Sequence, residues 1–131
     1  MLTVAPPEKV VAKRGATAQS RVTVLLGAGY HVNSNTPSED YLIPLRLTWT
    51  PGALVASEVT YPKPVMEKYS FSPKPISVFT GKFDVTTVFK VAPGASPGPG
   101  VMAGKLRYQA CNDKACFPPK TVEVRLTYQI E

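Results

Sequence analysis

The stretch KFDVTTVFKV, Lys82 to Val91, decides the fold class. Its apolar positions recur every second residue, so an extended chain places Phe83, Val85, Thr87, Phe89 and Val91 on one face and Lys82, Asp84 and Lys90 on the other. A helix would scatter those side chains around its circumference. The same period-two pattern appears in SRVTVLL (Val22, Val24, Leu26), LRLTW (Leu45, Leu47, Trp49), GKLRYQA (Leu106, Tyr108) and TVEVRLTYQI (Val122, Val124, Leu126, Tyr128, Ile130). Shorter candidate strands lie at 9–13, 55–61 and 75–78.

Punctuation agrees with this reading. Fourteen Pro and nine Gly in 131 residues suit short strands joined by many turns and do not suit a helical bundle. TPG at 50–52 and APGASPGPG at 92–100 are read as loops, the second as a long hairpin connection, because the thirty residues beyond it hold only two strands and cannot form a core alone. Pro44 interrupts the one helical-looking segment, SEDYLIPL. Strands in this number, separated by turn signals, predict an all-β sandwich of two antiparallel sheets, with residues 1–131 forming a single domain.

A net charge of +6 raises the question of nucleic acid, but the cations are spread singly and AKR at 12–14 is their densest group. No basic run interleaves with aromatic residues, so no nucleic-acid strip is expected. No window approaches the roughly 18 apolar residues of a membrane span, and MLTVAPPEKV lacks the apolar core of a secretory signal. Met1 before a Pro-rich segment suits a domain cut from a longer precursor.

Both cysteines fall in YQACNDKACFPPK, Tyr108 to Lys120. Asn112 and Asp113 favour a turn between them, so Cys111 and Cys116 can meet across a hairpin neck. A structural strut, a metal clip and a reactive pair are the competing readings. A strut closing only six residues stabilises by roughly 2 kcal/mol, against about 4.5 for a loop of some eighty residues, and a domain with an ample core needs it little. Zinc wants four ligands, and the one further donor of suitable type is His31, eighty residues away; no metal or organic cofactor is expected. Thiol–disulfide exchange requires two thiols able to close on each other and no third to divert electrons, which this chain satisfies. Pro118 and Pro119 should hold the second cysteine's loop extended, and with no helix N-terminus nearby and Lys114 the only close cation in sequence, thiols of ordinary basicity are expected.

GYHVNSNTPSEDYLIPLRLTW (29–49), YPKPVMEKYSFSP (61–73) and above all YQACNDKACFPP (108–119) resemble the N-terminal periplasmic domain of the thiol:disulfide interchange protein DsbD, the disulphide bond corrector family. The resemblance covers most of the chain. It implies an immunoglobulin-like β-sandwich, part of a larger membrane-anchored protein of the bacterial periplasm, that relays electrons from a thioredoxin-like domain to oxidised periplasmic proteins, cytochrome c biogenesis among the processes served. It also implies that the chain is part of a protein-disulfide reductase, monomeric and reaching the membrane only through its parent chain. Cys116 would form the mixed disulfide with partners and Cys111 would resolve it. A flap over the cysteines would fall near Glu67–Phe71, making Tyr69 and Phe71 candidates for shielding the sulfurs; ordinary sandwich aromatics are the alternative. Tyr30, His31 and Asn33 would lie near the active edge, with Tyr108 and Phe117 flanking the cysteines. Ordinary turn chemistry reads Asn33 to Pro37 as a surface loop and His31 as a solvated loop residue. The best-known members space their cysteines one residue wider and carry adjacent acids at the flap, where this chain has only Glu67. The rival from another class is a non-catalytic interaction module with an inert hairpin bridge.

Overall fold

The structure, a computed structural model, describes residues 2–131. Among them are twelve strands and no helix: β1 (Leu2–Ala5), β2 (Val10–Ala12), β3 (Thr17–Leu26), β4 (His31–Asn33), β5 (Arg46–Trp49), β6 (Leu54–Thr60), β7 (Val65–Glu67), β8 (Ile76–Thr80), β9 (Lys82–Val91), β10 (Gly98–Tyr108), β11 (Ala110–Cys111) and β12 (Lys120–Ile130). The alternating stretches form β3, β5, β9, β10 and β12, and the three weaker candidates form β2, β6 and β8.

Two four-stranded sheets, β1-β3-β9-β6 and β2-β12-β10-β5, make the sandwich. Their pairs are antiparallel apart from β2, which runs parallel to β12. The alternation puts Val22, Val24 and Val85 from the first sheet against Leu47, Leu106 and Val124 from the second. A further cluster sets Leu54, Phe89 and Val91 against Val10, Met102, Leu126 and Ile130. Each fully buried side chain of this kind stabilises by about 1.5–3 kcal/mol relative to exposure, which is why the period-two pattern fixes the strand register.

Trp49 ties the layers together. Its indole N–H donates to Thr87 Oγ1 at 2.9 Å, and its ring meets Phe89 edge-on with centroids 5.3 Å apart. The ring lies over Gly104, where a Cβ would come within 2.7 Å of it. Glycine at this strand position is therefore a packing requirement.

One expected loop is shorter than the sequence suggests. Gly98, Pro99 and Gly100 belong to β10, paired with Ile130, Gln129 and Tyr128. β5 covers only Gly104 to Arg107 on the other side of β10, so Pro99 lies where the strand has one hydrogen-bonding neighbour and a missing N–H is tolerated. Gly100 accepts the Tyr128 ring, which a Cβ would meet at 2.3 Å.

A third sheet, β11-β4-β8-β7, extends the fold beyond the two expected layers. Val32, Phe79 and Ala110 on its inner face join the main core. His31, Asn33, Ile76, Val78 and Cys111 alternate with them and therefore share the outer face. Asn33 and Ser34, which turn chemistry assigns to a surface loop, are fully buried: Ser34 Oγ bonds Ser77 Oγ at 2.7 Å, and its N–H donates to the Ser77 carbonyl at 3.0 Å. The surface loop begins only at Asn35.

Candidate functional site

The cysteine hairpin is built from its turn outward. Asn112 Oδ1 accepts from the N–H groups of Lys114 and Ala115, both at 2.9 Å, and Asn112 N–H donates to the Ala115 carbonyl at 3.0 Å. Below the turn, Phe117 N–H donates to the Ala110 carbonyl at 2.9 Å. These bonds bracket Cys111 and Cys116, which face each other as an antiparallel pair with Cα atoms 4.0 Å apart, their sulfurs joined at 2.04 Å. Side chains crowd closest at such a narrow pair, so the turn itself brings the sulfurs together.

The two halves of the disulfide live in different surroundings. Cys111 ends β11 and is 0% exposed, whereas Cys116 is an exposed residue on the outer arm of the hairpin. An incoming sulfur must approach in line with the S–S bond from the open side, and that side belongs to Cys116.

Beside Cys111 lies β4. The register pairs Cys111 with His31 and Ala110 with Val32, so the Cys111 and His31 side chains are cross-strand neighbours on the outer face. His31 is 1% exposed, which overturns its reading as a solvated loop residue. Its ring stacks on Tyr69, centroids 3.9 Å apart and planes 12° from parallel, with Phe71 parallel at 6.1 Å. Desolvation pushes the imidazole below its usual 6.5, opposed by the Glu67 carboxylate.

Tyr69 and Phe71 thus sit over the third sheet, packed on Leu42, Ile76 and Val78. Tyr69 O–H donates to Glu67 Oε2 at 2.5 Å; burial first, then this bond and the carboxylate's charge, push the phenol well above its ordinary range. The segment is tied to the cysteine turn by Ser70, whose hydroxyl donates to the Asp113 carbonyl. Tyr69 and Phe71 stack on His31, whose cross-strand neighbour is Cys111, and Cys116 is exposed.

Gln109 links the hairpin to the rest. Its Oε1 accepts from Asn33 Nδ2 at 3.3 Å and from Ile43 N–H at 3.4 Å, while its Nε2 donates to the Phe117 carbonyl at 3.3 Å. Asn33 Nδ2 also donates to the Ile43 carbonyl at 3.1 Å. The sequence marks this Gln only as part of a motif; a polar residue two places before a paired cysteine is its signal.

Of the residues singled out from sequence, Cys111, Cys116, His31, Asn33, Glu67, Tyr69 and Phe71 converge on this face. Tyr30 and Phe117 form a separate tilted pair, centroids 6.2 Å apart. Tyr108 does not join them: it is buried in the main core, and desolvation pushes its phenol up. Among the described residues no cluster of three or more His, Cys, Asp or Glu could hold a metal.

Comparison with known proteins bears on this geometry. A search of curated proteins finds no match. Among solved structures, the N-terminal periplasmic domain of ScsB from Proteus mirabilis superposes with a TM-score of 0.63 at 13% identity, covering 89% of this chain. The chain spans 43% of that protein's length in the structure. The seventh ScaB type I cohesin from Pseudobacteroides cellulosolvens aligns over 96% of this chain and 92% of its own, at 12% identity and a TM-score of 0.47. A family 123 glycoside hydrolase from Clostridium perfringens covers 92% of this chain and 22% of its own, at 12% identity and 0.42. The family model described as "Thiol:disulfide interchange protein DsbD, N-terminal" matches residues 2–128, nearly the whole chain. The chain belongs to the family of DsbD N-terminal domains.

Proposed function

We propose that the Cys111–Cys116 pair relays electrons from a reduced thioredoxin-like donor to oxidised periplasmic proteins, as one module of a larger membrane-anchored protein. The observation that carries this reading is the asymmetry of the disulfide: one sulfur-bearing residue open to a partner, the other buried at its back. A structural hairpin bridge has no use for that division, whereas exchange does.

The donor's thiolate attacks Cys116 Sγ. A donor–Cys116 bond forms, the Cys111–Cys116 bond breaks, and Cys111 leaves with the electron pair and takes up a proton. The donor's second thiolate then displaces Cys116, leaving the donor oxidised and this pair reduced. In the second half, Cys116 attacks a client disulfide and Cys111 resolves the mixed disulfide, so two electrons pass to the client. The protein needs no metal or organic cofactor for these steps, because the electrons travel in the sulfur–sulfur bond. The exposed arm of the hairpin admits the partner, while the Ser70 tie and the Tyr69 and Phe71 rings close the Cys111 side against stray thiols.

The test is transfer from a reduced thioredoxin-like domain to an oxidised client through this protein, comparing wild type with Cys116→Ser. Transfer by wild type alone supports the relay. Equal transfer by both proteins would refute it and leave the inert interaction module.

A further inference from the structure

The relay gives Cys111 a proton problem. It must attack as a thiolate, yet it is 0% exposed, and burial in apolar surroundings favours the neutral thiol. Water does not reach it in this structure, no helix N-terminus faces it among the described residues, and Lys114 in the adjoining turn is exposed.

His31 stands where a base is needed. It is directly opposite Cys111 in the β11–β4 register, which places the two Cβ atoms about 4.5–5.5 Å apart on one face. Its Nε2 is buried without a hydrogen-bond partner, as is Asn33 Oδ1 two residues on. Buried polar atoms are nearly always paired, so two unpaired ones on the face that carries Cys111 leave the imidazole with a nitrogen free to form a new hydrogen bond there.

The groups around the imidazole are few. β11 presents Cys111 and β8 presents Thr80, directly opposite His31. The segment after β7 presents Tyr69 and Phe71, with Glu67 as the charge acting on the ring. Tyr30, the preceding residue, pairs instead with Phe117. Burial keeps the imidazole neutral and able to accept, and the Glu67 carboxylate favours the imidazolium once formed.

We propose that His31 is the proton acceptor for Cys111 when Cys111 resolves a mixed disulfide at Cys116. This rests on the exchange reading above. In the step, the Cys111 S–H bond breaks and its proton passes to the imidazole. The Cys111 sulfur supplies the electron pair for the new Cys111–Cys116 bond, and the partner's sulfur leaves as a thiolate that later takes a proton. In the reverse direction the imidazolium protonates Cys111 as it is released.

The test needs only this protein and 5,5′-dithiobis(2-nitrobenzoate). The exposed Cys116 of the reduced protein reacts first, releasing one thionitrobenzoate, and Cys111 then displaces the second in a separate kinetic phase. The second phase in wild type should be flat around neutral pH and fall on acidification, with an inflection matching the imidazole titration seen by NMR. In His31→Asn that phase should slow by roughly 100-fold at neutral pH, as expected for loss of a positioned base, and rise tenfold per pH unit until the thiol ionises. Equal second-phase rates and profiles in wild type and variant overturn the proposal. Should His31→Asn fail to fold, the wild-type profile decides alone: a rate that follows only thiol ionisation, with no inflection at the imidazole titration, overturns it. Failure of transfer between proteins, with these results intact, would count against the relay and not against His31.

Discussion

Acidification should weaken this protein through His31, and Tyr69 should set how strongly. In the unfolded chain the imidazole titrates near 6.5; in the fold, burial lowers that value. Between the lowered value and 6.5 the unfolded chain binds more protons than the fold, so the contribution of neutral His31 is complete above 6.5 and is lost as pH falls through this window. The loss is about 1.4 kcal/mol per unit of separation between the two values. Tyr69→Ala removes the ring stacked 3.9 Å from the imidazole. An aromatic pair contributes about 0.5–1.5 kcal/mol beyond burial. With part of the burial of a half-exposed phenol added, the variant should lose about 2 kcal/mol at about pH 8. It also admits water to His31, which moves the titration up toward 6.5 and narrows the window. The gap between wild type and variant should therefore shrink on acidification. Urea unfolding at about pH 8 and about pH 5, together with NMR titration of the imidazole, reads both effects. An unchanged gap, with the imidazole titrating at the same pH in both proteins, would refute the reasoning.

Other consequences are more local. Gly104→Ala puts a Cβ within 2.7 Å of the Trp49 ring and should cost about 1–3 kcal/mol in urea unfolding, with a changed tryptophan emission. Gln109→Glu keeps acceptors for Asn33 and Ile43 but sets a carboxylate oxygen against the Phe117 carbonyl. It should destabilise the oxidised protein more than Gln109→Leu does at neutral pH and recover part of the loss as the carboxylate is protonated, measured by thermal unfolding across pH. Replacing both cysteines by Ala should leave the fold intact by circular dichroism at a cost of about 2 kcal/mol, because the bridge closes only a short loop. Cys111→Ser should accumulate a stable mixed disulfide with a thioredoxin-like domain through Cys116, visible by mass spectrometry.

The sandwich was legible in the sequence because its long strands have one wet face and one dry one. KFDVTTVFKV alternates because every second residue meets the opposite sheet, and Thr87 interrupts the apolar series only to accept the Trp49 N–H. Of the third sheet only β8 stood out as a candidate strand; the rest was not legible, for the opposite reason. In β4 all three residues are buried, so His31, Val32 and Asn33 carry no alternation, and β11 is two residues long. Buried polar side chains on one face of so short a strand read as a loop until their partners are known; for Asn33 these are Ile43 and Gln109, neither adjacent in sequence. Pro99 and Gly100 mislead similarly, since their usual meaning as strand breakers depends on whether a second neighbour needs their backbone. Of the site, the cysteines and their turn could be read from NDKA, because Asn112 organises that loop locally. The pairing of His31 with Cys111 is a matter of register across eighty residues, which no local pattern encodes.

The central claim is that Cys111–Cys116 is a working exchange pair and not a strut. Its reduction potential tests this most directly, by equilibrating the protein with graded thiol buffers and counting free thiols by alkylation and mass. The account predicts a value between roughly −180 and −270 mV, among proteins that exchange disulfides for a living cell's traffic. A value below about −300 mV would mark a structural disulfide and contradict it.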